Sequence, residues 1–457
     1  MYIKDIINTK SKKKFKKISL DSRNIKKNDL FIPLTINSNQ YILDTILKKG
    51  LVITDKKYQH KNIYFVKNLN QEVVNIFNKY YHYPLKEINL IGITGTDGKT
   101  TLTSILSDML NASSIGTNGF YLNNKYYPLN NTTPAIDILY DCFNQARNYH
   151  YKNIVMEVSS EAYLTNRLGD LKFNIGILTD ITKDHLDKHK SLDNYINCKL
   201  NLFRNSDISI LNHDSKYYNL CKKNSHKSLS YGFNKKANLQ IINYKLYFNY
   251  SIITFKYKRH KYQIKYNLKG KFNVYNIACS ILTLIALNYN INDILKRINN
   301  IKQVLGRMDI VYNGDYKIMI DYAHTTKSTL NILKFTKKFF KNIITIVGCA
   351  GGRYKEKRKE IGNLVLKYSK YVLFTMDDPR YEDPINIIKE MIGNTKKKNY
   401  LIELNRKEAI KKAIFLAKKN YIILILGKGI DNYMLINNQK IPYSDYQTVF
   451  EVVKNLK

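Results

Sequence analysis

Tryptophan is missing from this 457-residue chain, and acidic side chains are scarce, with 36 Asp and Glu against 75 Lys and Arg. The resulting formal charge of +39 raises the question of a nucleic-acid partner, because clustered cations gain affinity by releasing counterions from a phosphate backbone. Clustering is what the chain lacks. Lysine, asparagine, isoleucine and tyrosine are abundant throughout, which reads as a general composition bias, and short runs such as Lys10–Lys17 and Lys396–Lys398 read as solvated surface. No recognisable nucleic-acid module accompanies them, so no nucleic-acid partner is expected. The positive field would still steer an anionic ligand towards the protein.

Cysteine spacing and long apolar runs are the next absences. Cys142, Cys198, Cys221, Cys279 and Cys349 share no C-x-x-C spacing, which argues against a disulfide framework or a zinc site and fits a reducing compartment. The longest apolar run, Ile277–Leu287, is too short to span a bilayer, and Met1–Asp5 carries no signal-type apolar region. A cytoplasmic protein without membrane insertion is expected. A sizeable core is available, since 44% of residues are apolar, and the length suits about three domains of ~150 residues.

The most informative stretch present is Thr94-Gly-Thr-Asp-Gly-Lys-Thr-Thr101. It follows the mostly apolar run Ile88–Ile93 and precedes Leu102, Ile105, Leu106, Met109 and Leu110, which recur at helical spacing. A glycine-rich turn between strand and helix lets backbone amides approach phosphate oxygens, Lys99 adds a cation, and Thr100 offers a hydroxyl to Mg²⁺. The common phosphate-loop pattern would place glycine at position 93, where Ile93 stands between Gly92 and Gly95, so this is a variant loop. A nucleoside triphosphate is the expected substrate.

The predicted fold class is α/β, with three domains. A mixed α/β segment over 1–86 closes at Tyr83-Pro84, a parallel-sheet domain with the phosphate loop spans 87–304, and a Rossmann-like domain spans 305–457. Within the central part, Asn153–Val158 and Asn174–Thr179 read as strands, while Ile253, Phe255 and Tyr257, alternating with Thr254, Lys256 and Lys258, predict an antiparallel meander over 236–270 with one apolar face and one wet face. In the last part, the strands Lys317–Asp321, Ile343–Val347, Tyr371–Thr375 and Tyr421–Leu426 each run into polar or glycine-rich sequence. Ligands of open α/β sheets bind beyond the carboxyl ends of strands, so these four loops should share one rim.

Several spaced motifs together resemble the Mur ligases of peptidoglycan synthesis across nearly the whole chain. They are Leu20-Asp-Ser-Arg23 with Asp29-Leu-Phe31, Asn131-Thr-Thr-Pro134, Met156-Glu-Val-Ser-Ser160 with Arg167, Asp184-His-Leu-Asp187, Gly306-Arg-Met308, Asp321-Tyr-Ala-His324 and Asp377-Asp-Pro-Arg380. The resemblance is to the branch that adds the third amino acid to UDP-N-acetylmuramoyl-L-alanyl-D-glutamate. It implies a UDP-binding first domain and a reaction in which ATP phosphorylates a carboxylate before an incoming amine displaces phosphate. It also implies catalytic Lys99, Glu157, His185 and Lys199, with Mg²⁺ held through Thr100, Glu157, His185 and Lys199, the last carbamylated. A carbamate would replace a cation with a negative ligand group. ATP would contact Gly95, Thr96, Asp97, Gly98, Lys99, Thr100 and Thr101, with Asn276, Arg307, Asp321 and Tyr322 on the adenosine side. The nucleotide-sugar dipeptide would contact Ser22, Asn131, Thr132, Thr133, Ser159 and Arg167.

The same resemblance assigns the amino acid to Arg353, Asp377, Asp378, Pro379, Arg380, Gly427 and Asp431. In the diaminopimelate-adding members the motif reads Asp-Asn-Pro-Arg, and its arginine pairs with the distal carboxylate of meso-diaminopimelate; L-lysine lacks that group. meso-Diaminopimelate is therefore expected, with L-lysine as the alternative and a monomer as the working form. This chain departs from the family pattern at Asp378 (usually Asn), whose added negative charge would favour an ammonium group and so tolerate lysine, and at Asp431 (usually Glu), Asp97 (usually Asn) and Glu161 (usually His). The loop Gly351–Arg358 lacks the usual Asp-Arg-Asp, and Asn37–Gln40 lacks the usual Asp-Gly. A basic nucleic-acid-binding ATPase is the alternative from another class. Folylpolyglutamate synthases share the activation chemistry but fit Leu20–Arg23 and Asp377–Arg380 poorly, and a non-catalytic scaffold would have no use for Lys99, Glu157, His185 and Lys199.

Overall fold

The computed structural model describes residues 1–35, 37–182, 186–437 and 439–454, apart from the side chains of residues 186 and 187. The chain forms two compact units, one of Met1–Ile181, Ser191–Gln240 and Cys279–Ile294, the other of Thr182–Lys190, Ile241–Ala278 and Leu295–Lys457.

The first unit holds a small sheet and the greater part of a large one. Ile18–Ser19, Leu30–Phe31, Leu51–Thr54 and Ile63–Phe65 pair in parallel in chain order. Helix Leu69–Tyr80 follows, with Leu69, Val73, Ile76 and Phe77 buried on one stripe. Its Asn68 cap accepts from the amides of Asn70 and Gln71, which satisfies two donors that the first turn leaves without helical partners. In the large sheet the strands Ser228–Gly232, Ser206–Asn212, Phe173–Leu178, Asn89–Thr94, Asn153–Glu157 and Ser113–Gly116 lie side by side in parallel. Gly119–Leu122 and Lys125–Tyr127 extend it as antiparallel strands.

Asn89–Thr94 lies between two parallel neighbours, which explains its nearly continuous apolar sequence. Gly92 on this strand is a packing residue: a Cβ there would sit 2.8 Å from carbons of Leu202 and Phe173. Helix Lys99–Leu110 buries Leu102, Ile105, Leu106, Met109 and Leu110, the stripe expected from their spacing.

In the second unit, Ser251–Tyr257 pairs antiparallel with His260–Tyr266, placing Ile253 opposite Ile264 and Phe255 opposite Tyr262. The expected wet face is only partly wet. Thr254 is buried, its hydroxyl accepting from the Gln263 amide at 3.1 Å, whereas Lys256 is exposed.

The six-stranded sheet of this unit runs Asp309–Asn313, Lys317–Asp321, Tyr421–Leu426, Asn342–Val347, Tyr371–Phe374 and Tyr400–Ile402. All pairings are parallel except the first. Successive side chains point to opposite faces, so Ile343, Val347, Ile422, Leu424 and Leu426 pack with Ile332, Val365 and Ile388 from the helices of one face. Ile344, Ile346, Ile423 and Ile425 pack with Ile410, Ala413 and Val449 on the other. Helices Arg406–Leu416 and Asp445–Lys454 are also joined by the fully buried pair Arg406–Asp445, whose two contacts are each 2.8 Å. Arg406 donates further to the Leu426 carbonyl at 2.9 Å, which anchors the end of the central strand. Among the described residues, no helix is long and apolar enough to cross a membrane.

Candidate functional site

In the first unit, Asn89–Thr94 leads directly into the phosphate loop, and Gly98 caps helix Lys99–Leu110 in a left-handed conformation with φ 86°. Gly95 has φ 151°, and a Cβ there would come within 1.9 Å of Thr179 Oγ1. The loop is held from outside. Thr179 Oγ1 donates to the Asp97 carbonyl at 2.7 Å, and the Thr96 amide donates to Asp180 O at 2.8 Å. Lys99 Nζ donates to the carbonyls of Gly95 and Thr96, both at 3.0 Å, so its charge stands over the loop. Helix amides at the positive end of the macrodipole, together with this ammonium, form an anion cradle.

Thr100 and Thr101 are buried in the first helical turn. Thr100 Oγ1 donates to Glu157 Oε2 at 3.1 Å, and the Thr117 hydroxyl donates to the same oxygen at 3.2 Å. The Thr117 amide donates to Glu157 Oε1 at 2.9 Å. Glu157 is only 1% exposed, and both its oxygens have acceptor bonds. Gly116 makes room for this carboxylate, since a Cβ there would lie 2.4 Å from Oε1. Hard oxygen donors gathered around one carboxylate suit Mg²⁺.

Four residues expected at the dipeptide site adjoin this cluster. The Thr133 hydroxyl donates to the Glu157 carbonyl at 2.8 Å, lies 3.1 Å from Ser159 Oγ and accepts from the Ser159 amide at 2.9 Å. Arg167 donates to the Thr133 carbonyl at 2.7 Å, and burial pulls its guanidinium below its ordinary value, partly opposed by Glu161. Thr132 Oγ1 is 3.3 Å from Thr117 Oγ1. Asn131 is exposed. Ser22 is buried in the turn after the first strand, where its carbonyl accepts from Lys48 Nζ at 3.0 Å.

Lys199 sits on helix Leu192–Arg204, 2% exposed, and donates to the Gly95 carbonyl at 2.8 Å. Its Nζ lies 4.5 Å from the centroid of the Tyr195 ring, and the Tyr195 hydroxyl is 3.0 Å from Thr96 Oγ1. The structure thus brings Lys199 to the phosphate loop. His185 lies outside the described residues.

In the second unit the four strand-end loops meet, as their positions in the sequence imply. The Gly427 amide donates to the Asp321 carbonyl at 3.0 Å, and the Gly351 amide donates to the Asp378 carbonyl at 2.8 Å. A Cβ on Gly351 would sit 2.0 Å from Pro379 O, so glycine permits that approach. The Asp321 carboxylate accepts from the amides of Met308 and Ala323, both at 2.7 Å. Arg307 stacks over Tyr322, 4.5 Å from the ring centroid, a cation–π arrangement suited to flanking a flat ligand. Burial pushes the Tyr322 hydroxyl above its ordinary range. Asn276, on helix Lys271–Ala286, is buried and donates to Asn273 Oδ1 at 2.9 Å.

Arg380 has φ 57°, which is rare for a non-glycine residue. Its amide donates to Leu435 O at 2.9 Å and its carbonyl accepts from the Asn437 amide at 2.7 Å, so bonds to neighbouring backbone stabilise the left-handed conformation. Its Cδ lies 3.6 Å from the Cβ position of Gly352, next to Arg353. Burial raises the Asp431 carboxyl to about 6, with Lys428 opposing and Asp377 and Asp378 adding to the rise.

Three positions went unassigned in the sequence reading. Thr117 fixes Glu157 from a strand-to-strand turn that has no motif of its own. Arg358, fully buried, makes a two-pronged pair with Glu382 at 2.8 and 2.9 Å and binds Glu390 at 2.7 Å. Glu382 also accepts from the Gly352 amide, and its bond with Arg358 holds its carboxyl down at about 2. Lys428 was visible inside the Gly-Lys-Gly loop, but only the fold supplies its three carboxylate neighbours, Asp377, Asp378 and Asp431.

Comparison with known proteins identifies the family. Residues 93–284 match the Mur ligase middle domain, and residues 306–429 match the Mur ligase glutamate ligase domain. The UDP-N-acetylmuramoyl-L-alanyl-D-glutamate--2,6-diaminopimelate ligase of Clostridium tetani is 32% identical, with 96% of this chain and 95% of that protein covered. A solved structure of a ligase of the same name superposes with TM-score 0.71 at 22% identity, covering 98% of this chain and 97% of that one. The MurF ligase of Thermotoga maritima, solved in complex with ADP, gives TM-score 0.63 at 16% identity, covering 96% and 97%. Full-length relatedness above 30% identity, with both domain families in order, establishes that the chain belongs to the Mur ligase family.

Proposed function

We propose that this protein is the ATP-dependent ligase that adds meso-diaminopimelate to the D-glutamate of UDP-N-acetylmuramoyl-L-alanyl-D-glutamate, a cytoplasmic step of peptidoglycan precursor synthesis. The observation that carries the reading is the convergence of Thr100 and Thr117 on buried Glu157 at the mouth of the phosphate loop. The proposed division of labour follows the segments: 1–86 for the UDP sugar, 87–304 for ATP, and 305–457 for the amino acid.

In this reading a D-glutamate carboxylate oxygen attacks the γ-phosphorus of ATP and ADP departs. The amino nitrogen of diaminopimelate then attacks the acyl carbon, phosphate leaves and the amine loses a proton. Lys99 and the amides of Gly95, Asp97, Gly98, Lys99, Thr100 and Thr101 stabilise charge on the phosphoryl oxygens, and Thr96, its amide held by the Asp180 carbonyl, lines the loop through its side chain. Thr100, Glu157, His185 and carbamylated Lys199 would hold Mg²⁺, which would supply charge neutralisation at the transferring group. Thr117 orients Glu157 through two bonds. Ser22, Asn131, Thr132, Thr133, Ser159 and Arg167 hold the nucleotide-sugar dipeptide, and Asn276, Arg307, Asp321 and Tyr322 hold adenosine. Arg353, Asp377, Asp378, Pro379, Arg380, Gly427 and Asp431 receive the amino acid, with Arg380 on its distal carboxylate. The monomer is the proposed working form.

The test is a coupling assay with ATP, the muramoyl dipeptide, and meso-diaminopimelate and L-lysine in competition. Tripeptide containing diaminopimelate is the expected product. Incorporation of lysine alone would overturn the role of Arg380. ATP hydrolysis stimulated by DNA or RNA and indifferent to the dipeptide would favour the nucleic-acid ATPase instead.

A further inference from the structure

Lys428 is a buried cation of the rim that the proposed chemistry does not use. Its side chain is 0% exposed, and Nζ lies 2.8 Å from Asp378 Oδ1, 3.6 Å from Asp377 Oδ1 and 3.9 Å from Asp431 Oδ2. Burial works against its charge, but the three carboxylates outweigh burial and hold the ammonium above the ordinary lysine value. Asp378 Oδ1 also accepts from the Leu435 amide at 3.0 Å. Leu435 in turn receives the Arg380 amide on its carbonyl. One carboxylate oxygen therefore ties the Gly-Lys-Gly loop to the hairpin Tyr433–Ile436/Gln439–Pro442, which clamps the backbone of Arg380.

This bears on the chain's departure from the family at residue 378. An aspartate there adds a negative charge that, if free, would attract the distal ammonium of lysine and work against Arg380. The distances show where that charge goes: Asp378 is the closest of the three carboxylates to Lys428 and also accepts a backbone amide.

We propose that Lys428 is a positioning residue for amino-acid specificity: its close pairing with Asp378 screens the added charge from the ligand and fixes the backbone that presents Arg380. Arg380 then remains the group that selects a second carboxylate on the ligand. The proposal rests on the reading that this rim takes an amino acid with a distal carboxylate.

The experiment uses the full chain with ATP, the muramoyl dipeptide, and meso-diaminopimelate and L-lysine, measuring kcat and KM for each. Asp378→Asn should raise KM for diaminopimelate a few fold while leaving the diaminopimelate-to-lysine ratio of kcat/KM within about twofold. Lys428→Met should raise KM for diaminopimelate about tenfold, lower kcat by less than about threefold and shift the ratio towards lysine. Adding Asp378→Asn to Lys428→Met should move the ratio back towards the starting protein, because one liberated charge is removed; this rescue is not expected of a merely structural lysine. A tenfold rise in diaminopimelate preference in Asp378→Asn overturns the proposal, as does a fall in kcat with unchanged KM in Lys428→Met. If Lys428→Met fails to fold by circular dichroism, the ratio in Asp378→Asn decides alone. Failure of the unsubstituted protein to couple diaminopimelate removes the substrate reading and this proposal together, whereas coupling with the wrong Asp378→Asn ratio removes only the proposal.

Discussion

Around Glu157 in the first unit, a single carboxylate is surrounded by hydroxyls and an amide, and the phosphate-facing donors belong mostly to backbone. Around Lys428 in the second, three carboxylates surround one buried ammonium, and the donors belong to side chains. A phosphate chain presents the same oxygens whatever nucleotide carries it, so a site that reads it can be built from glycines and peptide amides, which depend little on side-chain identity. An amino acid, the ligand proposed for the rim, varies in its distal group, so a site that reads it relies on charges whose balance one substitution can tip. The difference explains why the loop at 94–101 declares its ligand while the rim declares only that it is charged.

The comparison can be broken first at the scaffold of the rim. Asp445→Ala strands the fully buried Arg406 guanidinium and should lower stability by about 3–5 kcal/mol in denaturant unfolding. A loss below about 1 kcal/mol would show that the rim does not depend on this pair. In the first unit, Lys99→Ala should lower turnover by about 10²–10³-fold, the range for removing one preorganised donor from a developing charge; near-normal turnover would leave the loop with a purely structural role. Thr117→Val removes one of the three bonds to Glu157 and should lower turnover roughly tenfold, as expected for one hydrogen bond to a charged group.

Acidity sharpens the contrast further. With its carboxyl raised to about 6, Asp431 should be protonated below that pH and lose its attraction for a substrate ammonium, so KM for the amino acid should rise as pH falls through about 6. Asp431→Asn should flatten that profile. Stability runs the other way for this residue: the folded state binds the proton more tightly, so its contribution favours folding at low pH and is lost as pH rises through about 6. Glu382, held at about 2, contributes stability above the ordinary carboxylate range that is lost as pH falls towards 2; Glu382→Gln should remove that dependence.

Much of the fold was legible because its strands are continuous apolar runs ending in recognisable loops. Lys317–Asp321 and Tyr421–Leu426 have the boundaries read from sequence, and Asn153–Glu157 and Tyr371–Phe374 end one residue early. Thr254 was misplaced on a wet face because a hydroxyl can be buried once a cross-strand amide satisfies it, and alternation does not register that partner. Thr117 and Arg358 were illegible for a related reason. Their partners Glu157 and Glu382 lie 40 and 24 residues away, with no fixed spacing to announce them.

Local sequence alone determined the phosphate loop, the strand that leads into it and the amphipathic stripe behind it, because backbone geometry, glycine conformation and helical period are short-range properties. Tertiary structure decided the charge balance. It set Thr117 on Glu157, brought Lys199 to the Gly95 carbonyl and placed Asp378 against Lys428, 50 residues further along the chain. Electrostatic interaction depends on distance and burial rather than on order along the chain, so an aspartate that looked like a free charge became half of an ion pair.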